Sequence, residues 1–199
     1  MITSTLIDEK VDFSEQELKE HLLYFLKVNE VSLDVFPFEW LCSTDFLIAP
    51  ASTHWHGAYP GGLLAHSMNV AQTLIALTKA GVTEPWERPE SPIIIGLLHD
   101  AVKIGAYAKV FDQEQNKFRY VWNPLRHDKE EGAVHAQKSL DILRSAPIEL
   151  TNEERLCIRC HMGAYEVDEW ERFDAAIKTY PNVLWTHTAD MIASKLLEG

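Results

Sequence analysis

The chain has 199 residues, of which 46% are hydrophobic and 24% charged, so it can bury a sizeable core. Its 30 acidic residues outnumber 18 basic ones, and the formal net charge is −12. A surface this acidic repels long polyanions and argues against an extended nucleic-acid groove. A small phosphorylated ligand stays compatible with it, because a metal and a few cations can reverse the field inside one pocket.

The cysteine content, the N-terminal sequence and the lengths of the apolar runs favour a cytoplasmic protein without a membrane partner. Three cysteines are too few for a disulfide framework, and an odd number fits a reducing compartment better. The first residues lack the basic start and apolar core of a signal peptide. Apolar runs also fall well short of the ~20 residues that a membrane span requires.

Helical patterns dominate the first half of the chain. Ser14 and Glu17 form a capping box, and apolar residues follow it at helical spacing. A second apolar stretch covers Val31–Ile48, and a loop of small and turn-forming residues, 49–62, comes after it. Leu63–Ala80 is then predicted to be a helix.

The second half adds a central helix and one β-hairpin. Ser91-Pro92 is a favourable helix start, and Ile93–Leu98 is apolar on all sides, which predicts a helix in the centre of the molecule. Val110–Trp122 has the pattern of a hairpin. Further helices are expected at Glu130–Arg144, Thr151–Met162, Asp168–Thr179 and Asn182–Glu198. We therefore predict a single all-α domain, residues 1–199, in which helices of segment 1–48 pack on a core formed by 49–199, with a small hairpin insertion.

Six polar side chains interrupt these apolar helices at intervals of roughly one helical hairpin. They are His66, His99, Asp100, His135, His161 and Asp190. Imidazole and carboxylate are the ligands that borderline divalent metals prefer. Burial of Asp100 directly after Leu97-Leu98 would be costly without a positive partner, and a metal ion would supply one. His99 and Asp100 diverge by about 100° within a helix, so they can share an ion only near a helix end, for which Gly105 is a candidate.

The order of these residues resembles the H…HD…H…H…D signature of HD-domain phosphohydrolases. The likeness includes Gly62-Leu63-Leu64-Ala65-His66-Ser67 and Leu97-Leu98-His99-Asp100-Ala101-Val102-Lys103, and it covers about two-thirds of the chain. It implies an HD-type helical bundle with one or two divalent ions (Mn, Fe, Zn, Ni, Co or Mg). The first ion would be held by His66, His99, Asp100 and Asp190, whereas His135 and His161 would bind a second ion or line the phosphate site.

The same resemblance implies roles in catalysis and substrate binding. The metal would activate water for attack on phosphorus, with Asp100 and Lys103 as catalytic residues. Lys103 would also contact the substrate phosphate, although Val102 stands where family members often have Gly. His54, His56 and Arg126 are further candidates for offsetting phosphoryl charge. The segment from Pro50 to Leu63 is in addition similar to the region before the first metal histidine in certain bacterial 3′-to-5′ exoribonucleases and some conjugative relaxases.

The leading hypothesis is therefore a metal-dependent phosphohydrolase, either a phosphomonoesterase (nucleotidase) or a phosphodiesterase, that acts on a nucleotide or related small molecule. A 3′-5′ exonuclease-like enzyme on single-stranded nucleic acid, a non-catalytic nucleotide-sensing HD module and a purely structural bundle remain alternatives. A homo-oligomer also stays open.

Three other patterns carry weaker signals. Cys157-Ile158-Arg159-Cys160-His161 spells the c-type haem attachment motif, but the motif needs an exported chain and an accessible segment. We therefore expect both cysteines to be core residues. His127-Asp128 lies in a charged loop and is expected at the surface, while His187 is expected either in the core or behind the metal ligands.

Overall fold

The computed structural model describes residues 12–114, 116–123, 135–163 and 170–198 of the chain. The described residues are mostly helical, with one two-stranded antiparallel sheet among them, which confirms the predicted helical fold with a hairpin. In chain order the elements are α1 (Glu15–Val28), α2 (Phe38–Cys42), α3 (Gly62–Lys79), α4 (Ser91–Leu98), a 3-10 helix (Ala101–Lys103), β1 (Tyr107–Asp112), β2 (Lys117–Trp122), α5 (His135–Leu143), α6 (Asn152–Cys160), α7 (Trp170–Thr179), α8 (Asn182–Ile192) and a π-helical turn (Ala193–Leu197).

The N-terminal helices pack on the central ones. The first of them begins at the predicted capping box, in which the Ser14 hydroxyl accepts from the Glu17 N–H and the Glu17 carboxylate accepts from the Ser14 N–H at 2.8 Å. Buried side chains of α1, α2, α3 and α4 form one hydrophobic cluster, which includes Leu22, Leu26, Leu41, Leu63, Leu64, Ile94 and Leu97. The segment before residue 49 thus contributes to the same core as α3 and α4.

Helix α4 lies in the centre of the fold, as the apolar run Ile93–Leu98 predicts, because all eight of its residues are buried. Gly96 allows its close approach to α3. A Cβ added at Gly96 would lie 2.4 Å from the Cα of Ala71, so the two backbones are nearly in contact there. This approach brings the His66 and His99 rings to a centroid distance of 5.3 Å.

Helix α4 ends before Gly105, the residue that the sequence suggested as its end. The helix ends at Leu98, His99 is its C-cap, and the 3-10 helix follows after Asp100. Gly105 instead adopts a positive φ of 65° two residues beyond that 3-10 helix. His99 and Asp100 therefore lie at a helix end, where the 100° divergence of neighbouring helical residues no longer separates them.

Two other elements differ in extent from the prediction. The hairpin pairs Tyr107 with Trp122 and Asp112 with Lys117, so its first strand begins three residues before Val110, and the Tyr107 and Trp122 rings pack edge to face. The last helix was expected to continue to Glu198. It is α-helical only to Ile192, and the chain then widens into the π-helical turn.

Some sequence expectations lie outside the described residues. They include the starts of the helices predicted at Glu130 and at Asp168, and the pair His127-Asp128. Among the described helices, none combines the length and the apolar character needed to cross a bilayer.

We predict that Gly96→Ala destabilises the protein. Helix propensity alone would make this change stabilising by up to about 1 kcal/mol. The contact with the α3 backbone reverses the sign, because forced overpacking in a core costs about 1–3 kcal/mol. Urea unfolding of the two proteins measures the difference, and a variant as stable as the wild type would mean that the two helices are less tightly apposed than described.

Candidate metal centre

Five separate helices or helix ends supply the predicted ligands. His66 lies in the second turn of α3, and Asp190 lies near the end of α8. The other four occupy helix termini: His99 and Asp100 follow α4, His135 begins α5, and His161 caps α6. The structure brings these side chains together. Three groups of them have ligand atoms within 4.8 Å of one another: His66–His99–Asp100, His99–His161–Asp190 and Asp100–His135–His161.

Asp100 is at the centre of this cluster, and its two oxygens face different pairs of histidines. Oδ2 lies 3.6 Å from Nε2 of His66 and 3.5 Å from Nε2 of His99. Oδ1 lies 2.8 Å from Nε2 of His135 and 3.6 Å from Nε2 of His161. The carboxylate is therefore oriented to bridge two neighbouring cation positions.

Asp190 completes the side of the cluster that contains His66. Its Oδ1 lies 3.2 Å from Nε2 of His66, and its side chain is 19% exposed, whereas that of Asp100 is 5% exposed. The cluster is thus buried at Asp100 and open to solvent near Asp190. That combination suits a site that must admit a small molecule.

Backbone hydrogen bonds fix the ring orientation of two histidines. Nδ1 of His99 donates to the Gly96 carbonyl at 2.9 Å, and Nδ1 of His161 donates to the Ile158 carbonyl at 2.8 Å. A carbonyl can only accept, so Nδ1 carries a proton, and in the neutral ring the Nε2 lone pair would be available to a metal.

The two Nε2 atoms presented in this way are buried. Neither has a hydrogen-bond partner among the described residues. A buried polar atom without a partner costs about 1–3 kcal/mol, and a cation bound by both Nε2 atoms and Asp100 would remove that cost. The donor set therefore fits a divalent metal ion.

Asp100 stays ionised despite its burial. Burial opposes its ionisation, but the Lys103 ammonium, 2.6 Å from Oδ2, and the hydrogen bond with His135 hold the pKa of Asp100 well below its usual range. The pKa of Lys103 is raised in turn by Asp100, although burial acts in the opposite direction. This corner of the protein thus keeps one negative and one positive charge away from bulk water.

The pKa values of His66 and His56, on the other side of the cluster, shift in opposite directions. Burial disfavours a charged His66 ring, but hydrogen bonds to Asp190 and Glu198 outweigh it and raise the pKa of His66 to about 10. Burial and the neighbouring His66 and Lys103 lower the pKa of His56 to about 4, so His56 is neutral at pH 7. Its ring lies 5.0 Å from that of His66.

A cavity of about 230 Å³ adjoins the cluster. His56 and Lys103, both predicted to bind substrate, line it, as does His187. The Nδ1 of His187 donates to the backbone carbonyl of His161 at 2.7 Å, so this histidine supports a candidate ligand from behind.

Of the other two predicted substrate contacts, only His54 is among the described residues, and it does not line this cavity. His54 is exposed and lines a separate groove of about 470 Å³, together with Lys109, Lys117 and Arg119 of the hairpin. His54 and His56 therefore line different surface depressions: His54 lines the hairpin groove, and His56 lines the cavity beside the cluster. Arg126 lies outside the described residues.

Sequence reasoning missed several residues of the site. Met162, Met191, Ser194 and Lys195 line the cavity, and Glu198 contacts His66. The sequence did carry a signal for Ser194 and Glu198. They follow Asp190 at intervals of four residues, which is the spacing of one helix face. The methionines carried no comparable signal, because apolar residues at helical spacing are usual in a core.

The haem-like motif is buried. The side chains of Cys157 and Cys160 lie in a hydrophobic cluster formed by α3, α4, α6, α7 and α8. Burial strongly raises the pKa of the Cys157 thiol. The position of these cysteines agrees with the expected packing role, and His161 of the same motif faces Asp100 instead.

No family model, curated protein or solved structure matches the chain. Evidence on its function therefore comes from the side chains of the candidate metal centre and their geometry.

We predict that Cys157 and Cys160 resist alkylation in the native protein. Iodoacetamide reacts with thiolates, and burial removes both access and ionisation at Cys157. Mass spectrometry after treatment at pH 8 should find both thiols unmodified, and both should react once guanidinium unfolds the chain. Stoichiometric labelling of Cys157 in the folded protein would contradict the described packing of α6.

Proposed function

We propose that the chain is a metal-dependent phosphohydrolase of the HD type that cleaves a phosphate ester of a nucleotide or a related small molecule. The observation that carries the proposal is the position of Asp100, each of whose oxygens faces its own pair of histidine Nε2 atoms. Structural histidines in a core are normally satisfied by hydrogen bonds. Here the Nε2 atoms of His99 and His161 converge on a carboxylate instead.

Two ions can be assigned to this donor set. The first would be held by His66, His99, Asp100 and Asp190, and the second by His135 and His161 with Asp100 shared. A nitrogen-rich set favours Mn²⁺, Fe²⁺, Co²⁺, Ni²⁺ or Zn²⁺ over Mg²⁺, which prefers oxygen ligands. When bound, such ions acidify water and polarise a phosphoryl oxygen.

Cations of the chain complement the charge of a phosphate. Hydrolysis adds a water oxygen to phosphorus and releases the ester oxygen as an alcohol, while negative charge spreads over the phosphoryl oxygens. Lys103 lies at the buried end of the cavity, and Lys195 is an exposed residue of its lining. Asp100 and Asp190 of the same lining offset these two cations, so attraction of an anion would depend on bound metal ions acting together with the lysines.

The size and lining of the cavity limit the substrate. At about 230 Å³ the cavity lies below the usual range for drug-sized ligands, which is about 300–1,000 Å³. Met162 and Met191 add adaptable apolar surface that can contact a base or a sugar. We therefore favour a phosphomonoester of mononucleotide size.

The hairpin groove favours a nuclease as the second candidate. Lys109 and Lys117 lie there beside the exposed ring of Phe118, and cations next to an aromatic ring are typical of surfaces that bind single strands. Arg119, however, is ion-paired with Asp112 at 3.0 Å, which reduces the positive charge available to a strand.

We predict that Asp100→Asn abolishes both metal binding and hydrolysis. Removal of the bridging charge affects both cation positions, so phosphate release should fall by more than about 100-fold. The assay uses metal-stripped protein reloaded with Mn²⁺, Co²⁺ or Zn²⁺, a panel of nucleoside mono-, di- and triphosphates and a labelled oligonucleotide. His54→Ala is the matched control, and it should leave mononucleotide hydrolysis unchanged because His54 faces the other groove.

The same panel separates the alternatives. Cleavage confined to the oligonucleotide, with loss of activity in His54→Ala, would replace the first candidate by the nuclease. Tight nucleotide binding without turnover under any of the three metals would indicate a sensing module. Absence of stoichiometric metal in the wild-type protein would remove the proposal altogether.

A further inference from the structure

His66 has a carboxylate on each side of its ring. Its Nε2 faces Asp190 and Asp100, whereas its Nδ1 contacts Glu198. We infer that Glu198 is a positioning residue that holds His66 in the tautomer and orientation required for metal binding. The inference rests on the metal centre proposed above.

The contacts of Glu198 define its effect on the ring. Nδ1 of His66 lies 3.1 Å from Oε2 and 3.2 Å from Oε1. An ionised carboxylate can only accept, so Nδ1 keeps its proton toward Glu198, and a metal that displaces the proton from Nε2 would find that lone pair directed to the Asp100 side. A carboxylate behind a ligating histidine also makes the imidazole a stronger ligand.

Glu198 is itself held in place. The side-chain amide of Asn69, one turn after His66 on α3, donates to Oε1 at 2.9 Å. The Glu198 N–H donates to the Ala193 carbonyl at 3.1 Å, which closes the π-helical turn. Its side chain is only 7% exposed, so solvent screens the contact with His66 weakly.

One continuous segment, α8 with the π-helical turn, provides a carboxylate to each nitrogen of the His66 ring. Helix α8 supplies Asp190, a candidate ligand that faces Nε2 of His66, and the turn that follows supplies the carboxylate that faces Nδ1. Isolated π-helical turns are uncommon, and they often occur at functional sites. The same imidazole ring is thus clamped from both sides by a single continuous segment.

A competing assignment is that Glu198 is a metal ligand. His56, His66 and Glu198 have ligand atoms within 4.8 Å of one another. A metal bound between Glu198 and Nδ1 of His66 would need the Nδ1 lone pair and would therefore replace the hydrogen bond from Nδ1 to Glu198. We favour the positioning role, because His66 then presents Nε2 to the larger group of ligands around Asp100.

The test measures metal affinity rather than turnover. Co²⁺ is titrated into the metal-stripped protein, with visible absorption and calorimetry as readouts, for the wild type, Glu198→Ala and Glu198→Gln. We expect Glu198→Ala to weaken Co²⁺ binding about 10–100-fold. Glu198→Gln should lie in between, because a neutral amide oxygen still accepts from Nδ1. Glu39→Gln, which removes a largely exposed carboxylate, is the matched control and should bind like the wild type.

The possible outcomes are distinct. If the wild type binds Co²⁺ and both Glu198 variants bind it within about twofold of the wild-type affinity, the inference is wrong while the metal centre stands. If Glu198→Ala lowers the number of bound ions without weakening the rest, Glu198 is a ligand and the positioning role is overturned. Failure of the wild type itself to bind Co²⁺ refutes the underlying proposal. Asn69→Ala provides a second route, because loss of its hydrogen bond should weaken binding in the same direction but less, even if Glu198→Ala does not fold.

Discussion

The ionised side chain of Asp100 is buried among histidines, and the cost of keeping that charge away from water is the constraint on which the site depends. A buried carboxylate is tolerated only with cationic or hydrogen-bonding partners. Asp100 has both, in the Lys103 ammonium at 2.6 Å and the His135 ring at 2.8 Å. The Nε2 atoms of His99 and His161 lie nearby without a hydrogen bond among the described residues. Two buried Nε2 atoms without hydrogen bonds, next to an ionised carboxylate, are better suited to a site that binds a cation than to a core without one.

The fold meets this constraint through helix ends rather than helix faces. Helix α4 is buried along its whole length, is apolar from Pro92 onward and ends at Leu98. The polar residues that follow it, His99 and Asp100, therefore lie in the middle of the protein. The C-caps of α4 and α6 then use a free backbone carbonyl to orient His99 and His161. Carbonyls in the last turn of a helix lack intrahelical partners. These two helix ends therefore satisfy their own backbone and aim an imidazole at the same time.

The sequence predicted the helical fold, the hairpin and the convergence of the six spaced His and Asp residues. Its success there has a physical reason: a His or Asp inside an otherwise apolar helix is conspicuous, because burial without a partner is costly. The extent of α8 was harder to predict, since Ala193–Leu197 has ordinary helix-forming residues and its sequence pattern does not distinguish a π-helical turn from a continued α-helix.

Residues that act from a distance or from a surface loop were also beyond sequence reasoning. Glu198 resembles any acid on a terminal helix until Asn69 and His66 are seen beside it. His54 and His56 are two residues apart in one loop, yet the backbone turns between them, and only His56 lines the cavity. Separations of this kind depend on loop conformation, for which no periodicity exists.

The central claim is that Asp100 bridges two cation positions. A crystal structure of the protein loaded with Mn²⁺, with data collected at the manganese absorption edge, tests it most directly. We predict two anomalous peaks, one between Oδ2 of Asp100, His66, His99 and Asp190, and the other between Oδ1 of Asp100, His135 and His161. A structure with these six side chains in place and no anomalous peak within coordinating distance of Asp100 would contradict it.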